Sequence, residues 1–168
     1  MQNLKELKSL MYINLSYTQV SDAGLQQLKK LDILTILALN KTKVKDAGLV
    51  HLKELKSLTG LHLSGTQVTD AGFVHLKEFN NPTEFNLSHT QVSDAGLVYL
   101  KEIKSLTWLD VQQTQVSDAG LVHLKELKSL RELNLKMTKV TAKGLEAFAK
   151  ALPACKIEHD GGTIEPKP

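Results

Sequence analysis

The sequence predicts an α/β solenoid with one parallel sheet, and three observations predict it. The octapeptide TQVSDAGL occurs at Thr18–Leu25, Thr90–Leu97 and Thr114–Leu121. Variants beginning at Thr42, Thr66 and Thr138 fill the open slots, so a copy recurs every 24 residues. A fixed period of this length is the signature of stacked units. Each line also joins two hydrophobic periods. Leu58, Leu61 and Leu63 alternate as in a half-buried strand, and Leu25, Leu28 and Leu31 recur at helical spacing. One such line cannot bury both apolar faces, whereas stacked lines can.

The lines begin at Leu4, Leu28, Leu52, Leu76, Leu100 and Leu124, and each approximates LKELKSLTxLxLSxTQVSDAGLVH. A truncated seventh, LPACKIEHDGG, runs from Leu152 to Gly162. Residues 1–162 are therefore expected to form one repeat domain, and 163–168 a frayed polar tail. Within a line, the strand leads into a corner at Thr18, Thr42, Thr66, Thr90, Thr114 or Thr138. Stacked corner hydroxyls would satisfy buried backbone groups, each of which costs about 1–3 kcal/mol unpaired. Ser or Thr followed by Asp then reads as a helix cap with an acid in the first turn. The second line has Lys45 at the cap, so Asp46 is expected to cap instead. The sixth has Ala142-Lys143 for Asp-Ala, which should leave that helix start the least well fixed. In the fourth line Pro82 takes a strand-entry leucine position, where Pro is tolerated, and Phe79 and Phe85 replace leucines. Cys155 aligns with Leu133 as a small buried residue.

The pattern LxxLxLxxTxV, followed by S/T-D-A-G-L and LKEL, resembles leucine-rich repeats from Leu4 to about Asp160. Thr stands where Asn or Cys is more usual. The continuation is similar to the cysteine-containing, ribonuclease-inhibitor-like class, and ALPACKIEHDGG resembles the closing segment of bacterial members. The resemblance implies a right-handed horseshoe, with strands on the concave face and helices on the convex face. It implies protein binding and no catalysis. Eukaryotic relatives serve as ubiquitin-ligase receptors, but no F-box-like segment precedes Leu4, so that role is not expected.

Composition restricts the function further. The chain has 168 residues, 42% hydrophobic and 23% charged, with a net charge of +3. So small a charge argues against nucleic-acid or anionic-membrane partners. No apolar run approaches the ~18 residues of a membrane span. A charged, amphipathic start is unlike a signal peptide, which favours the cytoplasm while leaving the compartment open. A single cysteine, Cys155, excludes an intrachain disulfide and a cysteine metal cluster. No nucleophile elbow, phosphate loop or metal-ligand spacing is present, so no cofactor, metal or enzyme activity is expected.

Where the scaffold repeats, variation points to function. Outward strand positions form four columns. The first is Tyr12, Ile36, Gly60, Glu84, Trp108, Glu132. The second is Asn14, Ala38, His62, Asn86, Asp110, Asn134, continued by Lys156. The third is Ser16, Asn40, Ser64, Ser88, Gln112, Lys136. The fourth is Tyr17, Lys41, Gly65, His89, Gln113, Met137. The only tryptophan, Trp108, lies between Glu84 and Glu132, as an interface anchor would. The expected partner surface is Trp108, Asp110, Glu84, Glu132, His62, Asn86 and His89, with Tyr12 and Tyr17 as a second aromatic patch. His51, His75 and His123 share one repeat position with Gln27 and Tyr99, which reads as surface. The partner is a protein of unstated identity. Two rivals are a targeting or regulatory arm of a larger signalling enzyme, such as a kinase, and a purely structural scaffold. Leu7, Leu10, Ile13 and Leu15 would have one open side at the N-terminal end, so a longer protein or self-association through that end is a further expectation.

Overall fold

Over the described residues, each 24-residue line folds into one coil of a solenoid. The computed structural model describes residues 9–167. Seven parallel strands stand in sequence order: β1 (Tyr12–Asn14), β2 (Ile36–Ala38), β3 (Gly60–His62), β4 (Glu84–Asn86), β5 (Trp108–Asp110), β6 (Glu132–Asn134) and β7 (Lys156–His159). An eighth, β8 (Gly162–Ile164), pairs antiparallel with β7. Short helices return each chain segment to the next strand: α1 (Asp22–Leu25), α2 (Asp46–Leu49), α3 (Asp94–Leu100), α4 (Asp118–Leu124) and α5 (Ala142–Ala151). In the first two coils the α-turn tightens into a 3-10 segment, and in the third Asp70–Glu78 is 3-10 throughout. Among the described residues, no helix is long and apolar enough to cross a membrane.

The alternation sets which row is inside. Ile13, Leu37, Leu61, Phe85, Leu109, Leu133 and Ile157 stack in register and face one continuous core. From the helical side, Leu25, Leu49, Phe73, Leu97, Leu121 and Leu145 meet them. Fully burying such a side chain contributes about 1.5–3 kcal/mol. Pro82 is buried at the entry to β4, and the Phe79 and Phe85 rings pack at 6.4 Å beside it.

The corner threonines do what the sequence predicts. Each hydroxyl donates to the carbonyl three residues earlier, at 2.6–2.7 Å, from Thr18 through Thr138. The aspartates stand in the first helical turn as expected, and they also reach into the following coil. The Oδ1 of Asp22, Asp46, Asp70, Asp94 and Asp118 accepts the backbone N–H of Lys45, Thr69, Ser93, Ser117 and Thr141 in the following coil, at 2.7–2.8 Å. The Oδ2 atoms of Asp46, Asp70, Asp94 and Asp118 also accept the hydroxyls of Thr69, Ser93, Ser117 and Thr141. Asp46 therefore does not cap its own helix in place of Lys45; it joins its coil to the next. Gly48, Gly72, Gly96, Gly120 and Gly144 make room for this joint. A Cβ on Gly72 would lie 2.6 Å from Asp46 Oδ1, and one on Gly96 would lie 2.5 Å from Asp70 Oδ1.

The same joint corrects the expectation for the sixth line. Its helix, α5, is the longest, at 10 residues. Thr141 is gripped by Asp118 and itself caps the Gly144 N–H at 3.2 Å. Ala142 can replace the usual acid because that acid serves the following coil, and here the chain runs into the β7–β8 hairpin instead. Those hydrogen bonds hold the Asp118 carboxyl below the ordinary carboxylate range.

Three other expectations change. Register pairs Leu133 with Ile157, so Cys155 is not its equivalent. Cys155 sits two residues earlier, buried at the strand entry, and burial pushes its thiol up to about 12. Lys156 joins the first row beside Glu132, and Glu158 continues the second row. Residues 163–167 pack onto the domain: Thr163 and Ile164 lie in β8, Ile164 packs against the core, and the Lys167 N–H donates to the Pro153 carbonyl at 2.8 Å. At the other end Leu10, Leu15 and Val20 are only partly covered, while Ile13 is buried; Leu7 lies outside the described residues.

Candidate concave-face site

The concave face carries the outward rows. In the first, Tyr12, Ile36, Gly60, Glu84, Trp108, Glu132 and Lys156 follow one another across the sheet. Trp108 is half-buried because its ring leans back across β4. Its centroid lies 6.2 Å from that of His62 on β3, with the planes tilted by 46°. Glu84, on the strand between them, places Oε2 3.7 Å from His62 Nε2. That nitrogen is buried and has no hydrogen-bond partner, since 3.7 Å is too long for one. Gly60 leaves the space into which Glu84 leans, its Cβ position lying 3.5 Å from Oε2. Thus β3, β4 and β5 bring His62, Glu84 and Trp108 into one cluster.

The second row has a local duty that sequence reading missed. Asn14, Asn86, Asp110 and Asn134 each turn Oδ1 back to accept the N–H two residues ahead, at Ser16, Ser88, Gln112 and Lys136. These bonds shape the strand exit, as Asx turns do. Asn86 also accepts the Ser88 hydroxyl at 2.7 Å. One oxygen of each of these residues is therefore committed to the scaffold.

Residues of the fourth column are not strand residues at all. Tyr17, Lys41, Gly65, His89, Gln113 and Met137 have φ between 51° and 66° and occupy the turn after the strand. This left-handed geometry costs a non-glycine residue about 1–2 kcal/mol. It aims the N–H of Tyr17, Lys41, Gly65, His89 and Gln113 at a carbonyl of the next coil, at 2.7–2.9 Å. His89 and Tyr17 thus stand at the rim of the face. Tyr17 is 73% exposed, with Lys41 Nζ 5.3 Å from its ring centroid. Tyr12 is exposed on β1, four strands from Trp108, so the two aromatic patches are separate.

Towards the C-terminal end the face is charged. Glu158 binds Lys136 at 2.5 Å and Lys156 at 3.3 Å, and these two cations hold its carboxyl below the usual range. Trp108, Glu132, Asn134, Lys156 and Glu158 border an open depression of about 200 Å³. Lys136 and Lys156 stood in the outward columns but outside the expected partner surface, and Glu158 was in neither. The signal was available: 24 residues beyond Leu133 lies Ile157, and that alignment puts Glu158 on the face.

Burial pushes the Asp110 carboxyl above the ordinary range, against hydrogen bonds from Gln112 and Asn134 and the nearby His89. A raised folded-state pKa means that ionised Asp110 opposes folding above that pKa, and the penalty fades as pH falls through it. Asn performs the same turn at 86 and 134. Asp110→Asn is therefore expected to raise the thermal midpoint at pH 7, with the gain over wild type shrinking as pH is lowered. Thermal melts from pH 7 to pH 3 check this.

Among the described residues, no three His, Cys, Asp or Glu side chains are arranged to hold a metal ion. The site offers an aromatic face, carboxylates and an ion network on a fixed backbone, which is suited to recognition.

Comparison with known proteins agrees with the architecture. A family model described as Leucine Rich repeat matches residues 6–29, 83–101 and 126–149. No curated protein sequence matches. Among solved structures, an internalin (inlF) from Listeria monocytogenes superposes with a TM-score of 0.66 at 19% identity, covering 94% of this chain. The chain spans 49% of that internalin's length. Internalin C2 of the same organism gives a TM-score of 0.64 at 22% identity, covering 92% of this chain and 72% of its own. At these identities the likeness establishes the fold.

Proposed function

We propose that this leucine-rich-repeat solenoid is a protein-interaction module, and that its partner docks on the concave face around Trp108. The observation that carries the reading is Trp108 itself: a half-exposed indole beside an open depression, on a strand hydrogen-bonded to both neighbours. Trp is among the residues that most often dominate binding energy. Glu84, Glu132, His62 and Asp110 surround it and supply polar specificity, with Asn86 and His89 further along the face. Because the corners and inter-coil joints fix the backbone beforehand, binding has little chain to order, and that cost is avoided.

The test is affinity capture from the source cell, comparing wild type with Trp108→Ala, with circular dichroism confirming that both are folded. The truncation is expected to weaken a concave-face partner by about 2 kcal/mol or more, roughly thirtyfold. A partner held equally by both chains moves the site to the convex side or to the β1 end, where Tyr12 and Tyr17 are exposed. No partner for either chain favours a scaffold role.

A further inference from the structure

We infer that the group seated on Trp108 is a single arginine side chain of the partner, its guanidinium lying on the indole between the carboxylates of Glu84 and Glu132. This rests on the reading of the concave face as the partner surface and adds the chemistry of what it holds.

Register places Glu84, Trp108 and Glu132 side by side on β4, β5 and β6. With strands about 4.8 Å apart, the Cα positions of Glu84 and Glu132 flank that of Trp108 on either side, and the indole leans toward the Glu84 side, facing His62. Both reach solvent: the Glu84 side chain is 43% exposed, and Glu132 is exposed. Among the described residues, no lysine or arginine nitrogen lies within 4.0 Å of either carboxylate. Lys156, the next residue in the row, is turned to Glu158 at 3.3 Å. The indole is thus bordered by two carboxylates, Glu84 beside the His62 imidazole at 3.7 Å, and neither is paired with a lysine or arginine among the described residues.

Charge complementarity selects the occupant. An indole attracts a cation through the negative face of its π-system. A guanidinium is planar, stacks on such a face, and directs N–H donors sideways in the plane where the carboxylates stand. An acidic or phosphorylated segment would meet two like charges. A purely apolar anchor would desolvate two carboxylates without pairing them. The Lys136–Glu158–Lys156 network keeps the neighbouring lysines occupied, so they do not fill the slot.

Trp108 is the only tryptophan, so its fluorescence reports on this site alone. The probe is a capped Gly-Arg-Gly tripeptide, titrated to roughly 50 mM to cover a millimolar anchor. Capped tripeptides with citrulline or glutamate in the central position serve as controls. A saturable change with arginine is expected, about tenfold weaker with the uncharged citrulline and in a Glu84→Gln/Glu132→Gln variant. Equal binding of citrulline, stronger binding of glutamate, or no change with arginine would overturn the inference. The affinity capture separates the two readings. A partner lost on Trp108→Ala yet kept by the double glutamine variant overturns the arginine anchor and leaves the binding surface standing. A partner indifferent to Trp108→Ala overturns both.

Discussion

Gly72→Ala is expected to destabilise the protein by about 2 kcal/mol, within the usual range for overpacking. The sign is informative, because glycine to alanine inside a helix ordinarily gains about 1 kcal/mol. Here the new Cβ would lie 2.6 Å from Asp46 Oδ1, 2.9 Å from Leu49 Cδ1 and 3.3 Å from the Asp46 Cα. The carboxylate cannot step aside without losing the Thr69 N–H at 2.8 Å and the Thr69 hydroxyl at 2.7 Å. Asp46→Ala alone should cost about 2 kcal/mol through those two bonds. The double variant should cost clearly less than the sum, because removing the carboxylate removes the shortest of the three contacts, leaving those to Leu49 and the Asp46 Cα. A coupling of about 1 kcal/mol, read from denaturant melts of the four proteins, supports the joint. Strict additivity would show that Gly72 is required for another reason.

Phe73→Ala is expected to have the largest effect, about 3–5 kcal/mol. The ring is fully buried and stacks between Leu49 and Leu97 at the equivalent core position of the neighbouring coils. A cavity there weakens one link of a quasi-one-dimensional stack, in which each unit contacts only its neighbours. The variant should therefore unfold in two steps, the coils before the cavity melting first. Trp108 emission follows the coils beyond it, while circular dichroism follows the whole chain. In wild type the two probes should coincide; in the variant the emission midpoint should lie above the dichroism midpoint. A single coincident transition would mean that the solenoid couples over longer distances.

The fold was legible because the period, the alternation and the corner threonine all describe one coil, and a coil that repeats must stack. Helix type was not legible. DAGLVHLKE occurs at 46–54 and again at 118–126. In the first copy the α-turn ends at Leu49 and becomes 3-10; in the second the α-helix continues to Leu124. Identical residues adopt different helices, so the neighbouring coils decide, and no local propensity could have told them apart. The role of aspartate was hidden by the repetition. In a periodic sequence, a contact to the following coil leaves the same pattern as a contact within the coil, and Ser-Asp reads as a local cap in either case. At the site, alternation found Trp108 with Glu84 and Glu132 but was carried one residue too far. Strands β1 to β6 are three residues long, and Tyr17, Lys41 and His89 already belong to the turn. In the seventh line Cys155 and Ile157 are both apolar and two apart, so either could fill the inner row; only the 24-residue count chooses Ile157.

The inter-coil joint also bears on how such a chain changes length over evolutionary time. A coil offers its aspartate forward and receives its predecessor's in the gap beside its own glycine, so any internal coil carrying both parts can follow any other. Loss or duplication of one whole period, wherever the cut falls, leaves every remaining joint with a matching partner. A shift of one residue breaks the joint that spans it, while later joints keep their separation of 23 residues. Coil number is then free to drift or be selected, while coil length is not, and the concave face can lengthen by whole rows without redesign of the scaffold beneath it.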